Sequence, residues 1–244
     1  MSNPNAPRKR CNFLVWGPLA LVIVLALSVS FSQTTALAAN SESLVLKLTD
    51  AENTWLSKHK TVRLGVDPSY PPFEFIGDDG AYSGLASEYA RFVGERLGIT
   101  LEVIPGLSWS QVIEGVKNGT VDMLPAATKT PERDEFMNFS KVHLDFPDVI
   151  LMRDGHSLVA GLADMRGRKV ALVDGYSTVE AISAKYPTIQ IILTGSPLHA
   201  LKSVAEGEAY ATVQNLGVAT YLIKEHARFS FQVQHRYAPE LRWE

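Results

Sequence analysis

Hydrophobic and polar positions along this chain follow two rhythms, a short alternation and a period of three to four residues, and these mark strands and helices in turn. Thr49-Asp-Ala-Glu52 has the form of a capping box, and Ala51, Trp55 and Leu56 suit one short helix that Lys58-His-Lys60 closes with positive charge. Residues 62–66 predict a strand. Residues 85–97 carry apolar side chains at Leu85, Tyr89, Phe92, Val93 and Leu97, a helical period stopped by Gly98. A strand over 100–104, a helix capped by Ser108 and turned by Asn118-Gly119, and a strand over 121–124 follow. Thr130-Pro131 pairs an N-cap with Pro at the first helical position and opens a short helix to about residue 137. Residues 142–152 read as an extended connector. Beyond it come strands at 169–173, 189–193, 209–213 and 229–234, separated by helices at 178–185, 198–206 and 216–225. Such alternation argues α/β layers around a mixed or parallel sheet, and two blocks joined by one extended segment argue two lobes. No solenoid period or low-complexity tract interrupts it.

The string GVDPSYPPFEF, residues 65–75, ends the first strand. Pro68, Pro71 and Pro72 cannot serve a strand interior, so they predict a stiff loop that fixes the directions of Asp67, Tyr70 and Phe73 at a strand end, where ligands are often held. The N-terminus is different material. Arg8, Lys9 and Arg10 precede an apolar run over 13–31, and Ala36-Leu37-Ala38 supplies a small-x-small cleavage pattern. Residues 1–38 thus read as an export signal or an uncleaved inner-membrane anchor, and either places the rest outside the cytoplasm, in the periplasm. The single cysteine, Cys11, lies before the apolar run, so the exported part is held by core packing without disulfides. At 244 residues with 46% hydrophobic side chains the chain can bury a sizeable core. Without Arg8, Lys9 and Arg10 it carries 20 basic against 26 acidic side chains, a formal net charge of −6 that argues against nucleic acid as a partner.

No enzyme signature is complete. Gly175-Tyr-Ser-Thr-Val179 starts like a nucleophile elbow but lacks the closing glycine, and the six histidines have no metal-ligand spacing, so no cofactor or metal is expected. Binding chemistry is better supported. Arg133 falls in the first turn of its predicted helix, where N–H groups and the helix dipole favour an anion and a guanidinium adds a carboxylate-matching fork; local sequence equally allows a surface arginine paired with Glu132 or Glu135. Ser177 and Thr178 open the helix after strand 169–173, as anion contacts or as plain caps. Tyr70 and Trp109 can wall a planar ligand, and Trp109 equally suits a core position.

GVDPSYPPFEF, Gly84-Leu-Ala-Ser-Glu-Tyr-Ala90, Trp109-Ser-Gln-Val-Ile113, Gly119-Thr-Val-Asp-Met123 and Thr130-Pro-Glu-Arg133 together closely resemble the bacterial extracellular solute-binding proteins of family 3, the amino-acid-binding type. Leu48-Thr49, Glu52, Trp55-Leu56, His59 and Arg63-Leu-Gly-Val-Asp67 further resemble the lead-in to the Venus-flytrap sensor domains of BvgS-type histidine kinases. The resemblance implies a two-lobed α/β periplasmic-binding-protein fold of type II, with a lead-in at 39–60, lobe 1 at 61–148 and lobe 2 at 149–238. Residues 239–244 begin the return crossing, which leaves the first lobe incomplete in a fragment or truncated receptor, or patched by a partner chain.

By the same resemblance Asp67 is a polar contact, Tyr70 and Trp109 are aromatic walls, and Ala126 and Thr128 line the cleft. Arg133 binds the ligand carboxylate, and Ser177 and Thr178 contact it from the second lobe. Asn215 departs from the pattern: related amino-acid binders commonly place an acidic residue there for the α-ammonium, and an amide cannot supply that charge. The implied ligand is a small carboxylate or amino acid, without an obligatory α-ammonium. The implied partner is an ABC-transporter permease or a membrane-bound histidine kinase. The rival reading from the same scaffold is a cyclohexadienyl-dehydratase-like enzyme with Glu74 or Asp67 as general acid.

Overall fold

The computed structural model describes residues 46–157, 159–226 and 231–236. The expected export segment and residues 239–244 lie outside them. Residues 48–244 form one unit, to which everything below belongs. It opens with helix α1 (Asp50–Lys58), fixed by the expected capping box: the Thr49 N–H donates to Glu52 Oε2 at 2.7 Å and the Glu52 N–H to Thr49 Oγ1 at 3.2 Å. None of its side chains is buried, and Trp55 stacks on His59 at 4.2 Å.

The first lobe is built on two parallel strands, β1 (Thr61–Leu64) and β5 (Thr100–Val103). A three-stranded antiparallel sheet joins them, made of β2 (Ser69–Tyr70), β3 (Glu74–Ile76) and β4 (Tyr82–Ser83). The proline-rich loop is therefore one limb of a small sheet. Residues 121–124, expected as a strand, reduce to a single parallel bridge between Leu64 and Met123. Arg63 substitutes for a longer ladder: its guanidinium and backbone N–H bind the Asp122 carboxylate at 2.6 to 2.9 Å.

Helix α2 (Leu85–Leu97) has the predicted bounds but an unexpected buried face. Leu85, Tyr89 and Phe92, which give the helix its period, are 42–50% exposed, whereas Ala86, Ala90 and Gly94 are buried. Close approach is the reason. A Cβ on Gly94 would lie 3.1 Å from the Ile99 carbonyl oxygen and 3.5 Å from Leu101 Cγ, so the helix backbone itself rests on the entry to β5. Helix α3 (Trp109–Asn118) starts at Ser108, whose hydroxyl accepts from the Gln111 N–H, and stops at left-handed Gly119. Helix α4 (Pro131–Asp134) keeps its Thr130 cap but ends three residues before the expected 137.

The second lobe is a five-stranded mixed sheet in the order β10, β6, β9, β7, β8. Strands β7 (Lys169–Val173), β8 (Gln190–Thr194) and β9 (Ala211–Asn215) are parallel, connected through helices α5 (Ser177–Lys185) and α6 (Pro197–Ala205). Helix α7 (Leu216–Glu225) and strand β10 (Phe231–Arg236) follow. The supposed connector over 142–152 is in its second half strand β6 (Asp148–Arg153), antiparallel to both β9 and β10. Its alternation shows why: Ile150 and Met152 join Val170, Leu172 and Ile182 on one face, and Val149 and Leu151 join Leu201, Val218 and Leu222 on the other. Phe73, from the first lobe's small sheet, reaches into this second cluster.

Candidate functional site

The site is assembled at the end of β1, where Asp67 is buried. Its backbone N–H donates to Glu74 Oε1 at 2.9 Å, and the other Glu74 oxygen accepts from the Tyr82 hydroxyl at 2.9 Å. Glu74 therefore ties the small sheet to the end of β1 with one oxygen and braces β3 against β4 with the other. Burial pushes its carboxyl up to about 8, against the pull of those two bonds. Burial also raises the Asp67 carboxyl, although the bonds it accepts from the Tyr176 hydroxyl at 2.5 Å and the Ser69 N–H at 2.8 Å favour its charged form.

Opposite Asp67 stands the turn between β7 and α5, Asp174-Gly-Tyr176. Gly175 has φ +76°, and a Cβ there would come 3.0 Å from Ser110 Cα at the start of α3, so this turn needs both left-handed backbone and a bare Cα. The close approach lets one carbonyl oxygen, that of Gly175, accept two bonds from the first lobe: Trp109 Nε1–H at 2.9 Å and Arg133 Nη2–H at 2.8 Å. Tyr176 continues across the gap. Its ring meets Tyr70 edge-on at 5.7 Å and Trp109 at 6.2 Å.

Arg133 is 2% exposed and bridges the lobes. Nη1 donates to the Thr128 carbonyl at 3.0 Å within its own lobe, and Nε donates to Glu180 Oε1 at 3.2 Å on α5. The alternative partners Glu132 and Glu135 are not used; Glu132 pairs with Lys117. Three of the five guanidinium N–H groups are thus bonded to protein, which leaves one on each terminal nitrogen with no bond among the described residues. At the start of α5 the N-cap Tyr176 makes no side-chain capping bond, and Thr178 Oγ1 is buried with no partner among the described residues. Neither Ser177 nor Thr178 is a cap.

The remaining expected contacts are less direct. Thr128 supplies its carbonyl to Arg133 while its side chain is exposed, and Ala126 is half-buried in the same coil. Asn215 is the N-cap of α7: its Oδ1 accepts from the Gly217 and Val218 N–H groups at 2.9 and 3.4 Å, so its amide oxygen is spoken for. The acidic charge missing at 215 lies beside it in the ladder, on Asp148, the direct cross-strand neighbour of Asn215. Burial pushes the Asp148 carboxyl up to about 6, and burial first, with the Asp148 charge after it, raises the Tyr70 phenol above its ordinary value. Sequence reasoning missed Asp148, Glu180 and Tyr176. For Tyr176 the signal was present, an aromatic residue between a strand-ending glycine and a helix start.

Comparison with known proteins identifies the family and the fold. The model of the bacterial extracellular solute-binding proteins, family 3, matches residues 62–232. The virulence sensor protein BvgS of Bordetella pertussis is 25% identical over 175 residues, which are 72% of this chain and 14% of that protein's length. A probable amino-acid ABC transporter-binding protein of Haemophilus influenzae is 25% identical over 182 residues, 74% of this chain and 69% of that one. Among solved structures, a histidine kinase sensor domain with similarity to periplasmic binding proteins superimposes with a TM-score of 0.70 at 30% identity, covering 75% of this chain and 79% of that one. The two-lobed α/β scaffold, the inter-lobe cluster and the family match over most of the chain lead to one conclusion: this chain belongs to the bacterial extracellular solute-binding proteins, family 3.

Proposed function

We propose that this chain is a periplasmic ligand-sensing flytrap that takes a small carboxylate between its lobes and relays its state to a membrane-bound histidine kinase. The observation that carries the reading is the pairing of Arg133 with the start of α5. A buried guanidinium keeps two N–H groups in reserve where an uncapped helix start and the partnerless Thr178 hydroxyl converge on the seam. Each such group suits an anion, and charge-assisted bonds of roughly 1.5–3 kcal/mol each make the carboxylate the anchored end of the solute. Tyr70 and Trp109 form the walls, and Asp67 and Asp148 supply acceptors toward the far end. The sensor output is preferred to delivery to a transporter because both the lead-in helix α1 and the 30%-identical sensor domain point that way.

Thermal-shift titration of the full chain tests this. A panel of small carboxylates and amino acids at millimolar concentration is compared with the corresponding amides and methyl esters. At least one carboxylate is expected to raise the melting temperature while its ester does not. Thr178→Val, which removes a hydroxyl that bonds nothing within the described protein, is expected to fold with unchanged stability yet weaken that solute about tenfold. A flat panel, or equal shifts by acids and esters, would overturn the reading.

A further inference from the structure

At the centre of the seam the Asp67 carboxylate and the Gly175 carbonyl are already engaged by the protein's own groups, and a single residue accounts for most of that engagement. Tyr176 donates its hydroxyl to Asp67 at 2.5 Å, sets its ring edge-on to Tyr70 and Trp109, and follows directly on the carbonyl that binds both Trp109 and Arg133. Asp67, Tyr70, Trp109 and Arg133 all belong to the first lobe, and Gly175 and Tyr176 to the second. A phenol set edge-to-face against two aromatic rings with its hydroxyl on a carboxyl group is bound as a small-molecule phenol would be: T-shaped ring contacts and one hydrogen bond at its tip.

We propose that Tyr176 is a tethered occupant of the solute site, so that the protein's own phenol latches the lobes together and a solute enters by displacing it. The proposal rests on the inter-lobe site described under the proposed function and adds two things to it. It names the solute class: a carboxylate whose other end is a planar group with a hydrogen-bond donor, able to replace the Tyr176 ring between Tyr70 and Trp109 and its hydroxyl on Asp67. It also sets the direction of the output, because a solute that must expel the latch loosens the Tyr176 contacts across the seam. The latch taxes affinity in proportion to its own population, since only the unlatched fraction accepts solute.

The test needs no knowledge of the natural solute. Small-angle scattering of the full chain without added solute is measured for the wild type, Tyr176→Phe and Tyr176→Ala. The wild type is expected to be compact, Tyr176→Ala to show a larger radius of gyration, and Tyr176→Phe, which keeps the ring but loses the Asp67 bond, to fall between them. p-Cresol, the tyrosine side chain as a free molecule, should then raise the melting temperature of Tyr176→Ala and restore its compactness, with no effect on the wild type; toluene, which lacks the hydroxyl, should do neither. As a second readout, 4-hydroxyphenylacetate should bind Tyr176→Ala at least about tenfold more tightly than wild type. Identical radii for wild type and Tyr176→Ala, or p-cresol acting alike on both, would overturn the latch. Should Tyr176→Ala be poorly folded, Tyr176→Phe decides the matter, because an unchanged radius and unchanged exchange of the Trp109 indole N–H would contradict it. Failure of the carboxylate panel with success of the p-cresol rescue would remove the proposed carboxylate and leave the latch standing.

Discussion

At the scale of single residues, the site is organised by carboxylates held away from their usual ionisation. Glu74, 1% exposed, is pushed from an ordinary 4.5 to about 8, Asp148 from 3.8 to about 6, and Asp67 upward as well, in each case chiefly by burial. A carboxyl raised in the folded chain binds more protons folded than unfolded, so its contribution to stability is full below the unfolded value and is lost as pH rises through the folded one. Asp122 has the opposite sign. Arg63 holds it at about 2, so that contribution is present above 3.8 and lost as pH falls toward 2. The melting temperature is therefore expected to fall between pH 5 and pH 8.5. Glu74→Gln, which can still accept from the Asp67 N–H and face the Tyr82 hydroxyl, should flatten most of that decline, an effect on the order of a few kcal/mol. Parallel melting profiles for the two proteins would mean that Glu74 is ionised at neutral pH, contrary to this account. These carboxylates also show what was legible in the sequence. Asp67 and Arg133 could be named because each sits in a local motif, a strand-ending turn and an N-capped helix start. Asp148 and Glu180 could not, because their meaning comes from partners 67 and 47 positions away in sequence, Asn215 across the sheet and Arg133 across the seam.

At the scale of elements, bounds were well foreseen wherever a cap or glycine stop spelled them out, as at Thr49, Ser108 and Gly98, and faces were not. The apolar stripe of α2 points outward because what limits that contact is distance: Ala86, Ala90 and Gly94 let the helix lie against β5, and larger residues cannot. Replacing Gly94 by Val should accordingly destabilise the chain by about 2 kcal/mol or more through overpacking against Ile99 and Leu101. Phe92→Ser, on a side chain 50% exposed, should cost less than about 0.5 kcal/mol. Chemical denaturation of both variants checks the pair, and the reverse order would restore the face that periodicity alone suggests. The same lesson applies to 121–124 and 142–152. The first was expected as a strand and the second as a connector, but only the second finds strand neighbours on both sides; Arg63 and Asp122 tie down the first with side chains instead.

At the scale of the whole molecule, two lobes share one seam, and Asp67 and Arg133, both marked for ligand by the family resemblance, bond across it. Phe73 ties the lobes through a shared apolar cluster, the Gly175 carbonyl ties them through Trp109 and Arg133, and Tyr176 ties them through Asp67. A domain joined this way can report a solute by the state of its seam, since any ligand with different affinity for the latched and unlatched forms shifts their balance. Hydrogen exchange on the full chain, with and without the carboxylate that most raises its melting temperature, tests that claim most directly. The account predicts that exchange changes together in segments 67–70, 109–111, 128–133 and 175–178, from both lobes, and stays constant on the outer face of α2. A change confined to one lobe, or centred away from these segments, would contradict an inter-lobe site.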